Sequence, residues 1–244
     1  MSFKGFRVIS LVPSWTETLI EAGVCVVGRT RFCIHPANAV ARIPSVGGTK
    51  NLNIAKVLEL KPDFVILDEQ ENTFAMAEQL QLAKIPLLIS NVTDGMSAAV
   101  FLAKLGAVLN QPQMGDWATR YRQLPNSDPL RFRREITLQG EWPTEPVKKI
   151  DYVIWRKPWM VIGQKTFIAD SLKRGGLIVT RTELYPEVDE SELKKSFCLF
   201  SSEPFPFEKD YKKLIAEGFK GVVVDGEKMS WYGIRNLLFL ERCL

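Results

Sequence analysis

The chain has 244 residues, enough for one large domain or two small ones, and its 46% hydrophobic and 25% charged residues imply a normal buried core. A net charge of +4 is mild, and the basic residues are dispersed, the densest cluster being Arg131, Arg133 and Arg134; nucleic-acid binders concentrate them on one face, so that class is set aside. No apolar run approaches the roughly 20 residues that cross a bilayer, so membrane insertion is not expected.

The opening MSFKGFRVISLVPS passes quickly into a strand pattern and lacks the apolar region and small-residue cleavage site of a secretory signal. The expected location is cytoplasmic, or periplasmic or membrane-anchored if a signal sequence has been removed. Cys25, Cys33, Cys198 and Cys243 match no paired-cysteine metal or redox spacing. Cys33 with the single histidine, His35, supplies two ligands, too few for a zinc site, so no protein-bound metal is expected and most of the thiols read as buried and free.

The first half repeats a strand, loop and helix unit. Arg7 to Val12 reads as a strand, Pro13-Ser14 as a turn, and Trp15 to Ala22 as a helix whose Ser14 and Glu17 have the spacing of a capping box, with Gly23 at its end. A short helix from Ile54 to Leu60 precedes the strand Phe64 to Leu67. A helix from about Thr73 to Ala83 leads into the strand Leu87 to Ser90. A long helical stretch follows, about Met96 to Leu109 and Met114 to Leu124, interrupted near Gln111-Pro112. Pro125 to Pro146, rich in proline and charge, reads as a connection.

The second half repeats the unit. Asp151 to Trp155 is a strand, Thr166 to Arg174 a helix closed by Gly175-Gly176, and Glu190 to Lys195 a short helix before the strand Phe197 to Phe200. Asp210 to Glu217 is a helix before the strand Gly221 to Val224, and a last helix starts after Ser230 as N-cap and runs to about Glu241. Alternating strands and helices predict an α/β fold: two Rossmann-like lobes with parallel sheets, bridged by a long backbone helix. The expected division is 1–94 for the first lobe, 95–125 for the bridging helix, 126–150 for a connection and 151–244 for the second lobe. Ligands bind at the carboxyl ends of such strands.

The loops at those ends hold Trp15, Trp155, Trp159 and Trp231, four of the six tryptophans, with prolines beside several of them. Rigid aromatic rings on stiffened loops suit a large, flat, partly apolar ligand. The helices beginning near Trp15 and Trp231 are expected to aim free N–H groups at the same region, which favours anionic ligand groups. Gly47-Gly48-Thr49-Lys50-Asn51 lacks the P-loop pattern and reads as a tight turn at the site. Arg156, Lys157 and Arg235 could pair with acidic ligand groups. No nucleophile elbow, zinc-protease motif or dinucleotide fingerprint occurs, so no catalytic residue is assigned and the chain does not read as an enzyme.

Several motifs carry a resemblance: RVISLVPSWTE (Arg7 to Glu17), GGTKN (Gly47 to Asn51), LKPDFVI (Leu60 to Ile66), IWRKPWM (Ile154 to Met160), LYPEV (Leu184 to Val188), SSEPFPF (Ser201 to Phe207) and VDGEKMSWYG (Val224 to Gly233). The chain resembles the class III substrate-binding proteins, or helical-backbone metal receptors, which include cobalamin-, haem- and ferric-siderophore-binding proteins; it looks like a subgroup without a signal peptide. The resemblance implies a non-covalently bound cobalamin, haem or ferric chelate held between two lobes. The expected ligand-binding residues are Ser14, Trp15, Gly48, Thr49, Lys50, Asn51, Trp155, Arg156, Trp159, Glu203, Glu227, Trp231 and Tyr232. Family members that dock on an ABC permease carry an exposed glutamate on each lobe; Ala55 and Gly233 stand at those positions here, which speaks against docking. The alternative readings are the substrate-binding component of a B12 or iron importer, and an enzyme processing a corrinoid or tetrapyrrole with His35, Glu203 or Glu227 as proton acceptor.

Overall fold

The computed structural model describes residues 5–244; the first four residues of the expected first lobe lie outside them. The fold is α/β, and its contacts divide it into two compact units. One comprises residues through Val92 together with Met96–Arg122 and Tyr232–Leu237. The other comprises Thr93–Gly95, Gln123–Trp231 and Leu238–Leu244.

The first unit is built on β1 (Arg7–Ser10), β2 (Cys25–Arg29), β3 (Phe64–Asp68) and β4 (Leu87–Ser90), a parallel sheet in the order β2-β1-β3-β4. RVIS and FVILD are nearly continuous apolar runs because a parallel strand covered on both faces has no solvent side. The helices α1 (Pro13–Glu21), α2 (Ala37–Val40), α3 (Ile54–Glu59) and α4 (Phe74–Leu82) alternate with these strands. Asn53 caps α3 by accepting from the Lys56 N–H, and Thr73 caps α4 through the Met76 N–H. The core gathers Ile9, Leu11, Val46, Val57, Val65 and Leu80. The long helical stretch is two helices, α5 (Gly95–Val108) and α6 (Pro112–Gln123), broken close to Gln111-Pro112 as the sequence suggests. Asn110 between them adopts a left-handed φ of 53°, and Pro112 opens α6 at the one place where its missing N–H costs nothing.

The second unit corrects two expectations. The connection at 126–150 holds a helix, α7 (Pro129–Ile136), and a strand, β5 (Thr137–Gln139). Asp128 caps α7, and only Phe132 and Ile136, four residues apart, are buried, so three arginines hide its apolar stripe from a reading of composition. The sheet is also mixed rather than parallel. The order is β5-β10-β9-β6-β7, with β6 (Lys149–Trp155), β7 (Met160–Val161), β9 (Phe197–Ser201) and β10 (Lys220–Val224). Of these β6, β9 and β10 run parallel, while β5 and β7 are antiparallel additions at the edges. A short β8 (Ile178–Val179) also pairs with β6. The helices are α8 (Phe167–Arg174), α9 (Glu190–Leu193), α10 (Tyr211–Ala216) and α11 (Gly226–Ser230), and α12 (Ile234–Arg242) ends the chain.

Residues 181–188 lie along β7, where the N–H groups of Val161, Gly163 and Gln164 donate to the carbonyls of Pro186, Leu184 and Arg181. The approach leaves no room for a Cβ at Gly163, which would collide with the Glu183 carbonyl. Gly163→Ala is expected to destabilise the protein by about 1–3 kcal/mol, read from urea unfolding, because backbone rather than a movable side chain must yield.

Candidate functional site

In the first unit the carboxyl ends of the strands lead into α1, the loop after β2, the Asp68–Asn72 loop and the loop after β4. Asn72 ties two of these together. Its amide donates to the carbonyls of Thr49 (3.0 Å) and Leu11 (3.3 Å), and its side-chain oxygen accepts from the Asp68 N–H (2.9 Å). The Gly47–Asn51 turn closes on itself, with the Gly48 N–H donating to the carbonyl and side-chain oxygens of Asn51. Gly47 is required there: its φ is +134° and a Cβ would strike the Asn51 carbonyl. Lys50 reaches the Gln70 carbonyl at 3.3 Å. Gly48, Thr49, Lys50 and Asn51 therefore do form a tight turn against the end of β3.

Trp15 is not at the surface. It is fully buried, its indole N–H donates to Ser90 Oγ (2.9 Å), and that hydroxyl donates to Asp68 Oδ2 (2.7 Å). Its ring packs on Phe101 and Tyr232, with centroids 4.9 and 5.0 Å away. Tyr232 is likewise buried, and its hydroxyl donates to Glu71 Oε1 (3.1 Å). Burial, with the charges of Glu71 and Asp68, pushes the Tyr232 phenol well above its ordinary pKa, so it is a permanent donor.

The capping box is also corrected. Helix α1 starts at Pro13 with Val12 as N-cap and no side-chain cap; Ser14 is buried inside the helix. Glu17 instead receives both arms of Arg235 at 2.8 Å, which removes Arg235 from the set awaiting an acidic ligand. The last helix begins at Ile234, not after Ser230, and the Ile234 N–H is taken by Thr18 Oγ1 (3.2 Å). At the start of α12, therefore, the first N–H is already taken within the protein.

In the second unit the ends of β6, β9 and β10 carry Trp155, Glu203 and Glu227. Trp155 is 39% exposed, supported edge-on by Phe205 at 5.7 Å. Trp159 is 8% exposed and belongs to the core, stacked on Phe207 and touching Phe219, with its N–H on Glu190 (3.3 Å). Arg156 is occupied: it pairs with Asp210 (3.1 Å) and Glu217 (2.7 Å) and lies over the Trp159 ring. Glu203 accepts from Ser230 Oγ (2.6 Å) and from the indole N–H of Trp231 (3.0 Å), so Trp231, 7% exposed, is also held inward. Burial raises the Glu203 pKa, and the charges of Glu227 and Asp225 add to the rise, against the two donated hydrogen bonds. Glu227 lies half-buried in α11.

One feature of this edge escaped the sequence reading. Phe32, 47% exposed, follows β2 directly, with the Arg31 guanidinium over its ring at 4.8 Å and the Arg31 N–H on the Gly47 carbonyl. Its sequence signal is an aromatic beside an arginine, hidden because β2 (CVVGR) is short and only Gly28 in it is fully buried, so the strand end that places this loop does not stand out. Among the described residues no group of three or more His, Cys, Asp or Glu could hold a metal ion, and no helix is long and apolar enough to cross a membrane.

Comparison with known proteins gives this edge a context. Residues 8–119 match the family model described as periplasmic binding protein. A vitamin B12-binding protein of Yersinia pestis (strain Pestoides F) is 30% identical over 131 residues, 52% of this chain and 46% of that protein; the chain thus spans about half the length of the curated relatives it matches. Among solved structures, the periplasmic vitamin B12 binding protein of Vibrio cholerae superposes with a TM-score of 0.72 at 18% identity, covering 98% of this chain and 95% of the other. A periplasmic haem-binding protein from Pseudomonas aeruginosa gives a TM-score of 0.76 at 22% identity over 97% and 90%. At these identities the structural likeness shows the fold. The resemblance read from the motifs is borne out, whereas a cytoplasmic location finds no support, these solved proteins being periplasmic.

Two measurements check the corrected geometry. Trp15→Phe removes the N–H on Ser90 and is expected to cost about 1–3 kcal/mol of stability in chemical denaturation, as loss of a buried hydrogen bond with some packing does. The second concerns pH. Because the folded-state pKa of Glu203 is raised, its contribution to stability is fully present below the ordinary glutamate value and is lost as pH rises through the raised one. Glu203→Gln cannot titrate, so the stability of the wild type relative to this variant is expected to fall across that window in unfolding curves taken at a series of pH values.

Proposed function

With residues 8–119 matching the periplasmic binding protein family, and with the fold of solved periplasmic binding proteins over nearly the whole chain, we propose that this protein binds a corrinoid, haem or ferric-chelate ligand non-covalently. It acts as a carrier and not as a catalyst. The observation that carries this reading is that the carboxyl edge of each sheet presents an exposed aromatic ring in contact with a neighbouring side chain. These are Phe32 under Arg31 in the first unit and Trp155 against Phe205 in the second. An exposed ring fixed by a neighbour loses little entropy on stacking against a flat macrocycle. A guanidinium beside the ring offers a partner for ligand carboxylate or phosphate.

Within this reading each unit offers ligand contacts of its own: Phe32, Arg31 and the Gly48–Asn51 turn in the first, and Trp155 in the second. Ser14, Trp15 and Tyr232 support the strand-end loops of the first unit from within, and Arg156, Trp159 and Trp231 those of the second. Glu203 and Glu227 shape the strand-end edge of the second unit. Docking to a permease is not part of the reading: Ala55 carries no acid, and at Gly233, with φ +79°, a Cβ would collide with the Thr18 hydroxyl.

Titration with cyanocobalamin, haemin and a ferric siderophore, followed by tryptophan fluorescence, tests the proposal. At least one is expected to quench and to raise the melting temperature. Trp155→Ala is expected to weaken that binding by about tenfold or more, the order of one lost stacking contact. Failure of all three ligands with wild-type protein would contradict the proposal.

A further inference from the structure

Three consecutive side chains, Ser230 at the end of α11 and Trp231 and Tyr232 after it, each donate a hydrogen bond to a glutamate. Ser230 Oγ and the Trp231 indole N–H share one oxygen of Glu203, at 2.6 and 3.0 Å, and the Tyr232 hydroxyl reaches Glu71 Oε1 at 3.1 Å. The division into units falls within this triplet: Ser230 and Trp231 belong with the second unit and Tyr232 with the first. Each is therefore held by a glutamate of its own unit, from the loop after β9 in one case and the loop after β3 in the other.

We infer that Glu203 and Glu71 are positioning residues: Glu203 fixes Ser230 and Trp231 within the second unit and Glu71 fixes Tyr232 within the first, so that each side chain is set in its own unit before any ligand arrives. The chain leaving α11 keeps one helical backbone bond, from the Trp231 N–H to the Glu227 carbonyl (3.0 Å), and the side-chain locks add to it where the helix ends. Here the locks are carboxylates. A carboxylate has only acceptor sites, and one oxygen takes two donors at Glu203, so hydroxyl and indole are set relative to each other.

The residues that follow are restrained as well. Gly233 takes a left-handed φ of +79° against Thr18, the Ile234 N–H donates to Thr18 Oγ1, and Arg235 pairs with Glu17. The groups facing Glu203 are Ser230, Trp231, Glu227 and Asp225; Tyr232 faces Glu71 and Asp68.

The test is hydrogen–deuterium exchange by mass spectrometry on the full chain. The variants are Glu203→Ala, Glu203→Gln, Glu71→Ala and Glu71→Gln, each titrated in parallel with haemin and cyanocobalamin. The alanine variants are expected to raise exchange across residues 230–234 by about tenfold, as loss of one or two net hydrogen bonds would. The glutamine variants keep an acceptor oxygen and are expected to stay within about twofold of wild type, by the same reasoning. If an alanine variant does not fold, Ser230→Ala and Tyr232→Phe remove the donors instead and are expected to loosen the same peptide with the melting temperature little changed.

Unchanged exchange at 230–234 in these variants would overturn the inference, as would loosening spread evenly over a whole unit. The binding arm rests on the function proposed above. If wild-type protein binds neither probe, that function fails while the exchange result still decides the positioning role.

Discussion

A buried indole N–H must find an acceptor, and much of the geometry at the strand ends follows from that requirement. Trp15 finds Ser90, which in turn needs Asp68; Asp68 is 2% exposed and also takes the N–H groups of Gln70 and Val92. Satisfying one ring thus fixes the loops after both β3 and β4. Trp231 finds Glu203, and Trp159 finds Glu190. Three of the tryptophans that sit beside strand ends are thereby turned inward. They stiffen the strand-end loops from below.

This explains what was legible in the sequence and what was not. The strands of the first sheet could be read because RVIS and FVILD are apolar on both faces, and the α4 helix because Thr73 stands at its start. The place of each tryptophan along the chain was readable too, since strand ends follow from the apolar runs. The direction of each ring was not. It depends on acceptors distant in sequence: Ser90 lies 75 residues from Trp15, and Glu203 lies 28 residues from Trp231. The arginines at 156 and 235 misled for the same reason, their partners Glu217 and Glu17 being 61 and 218 residues away. Helix α7 was missed because two buried residues among several charges make too weak a period, and β5 and β7 because short antiparallel edge strands carry little apolar signal.

The electrostatic arrangement is consistent with a carrier. The charges buried near the strand ends are paired or hydrogen-bonded within the protein: Arg156 with Asp210 and Glu217, Arg235 with Glu17, Glu203 with Ser230 and Trp231. Groups that have settled their hydrogen bonds are poorly placed to shuttle protons but well placed to hold shape. Phe32 with Arg31 and Trp155 on Phe205 are exposed and combine flat apolar area with one positive charge.

The central claim is therefore that Trp155 meets the ligand while Trp15, Trp159 and Trp231 hold the site from inside. Fluorine NMR of protein labelled with 5-fluorotryptophan, its six resonances assigned by single Trp→Phe variants, tests this directly. On addition of whichever of cyanocobalamin or haemin binds, the Trp155 resonance is expected to shift or broaden most, with the other three moving far less. A Trp155 resonance that stays in place while Trp15 or Trp231 moves would contradict the account.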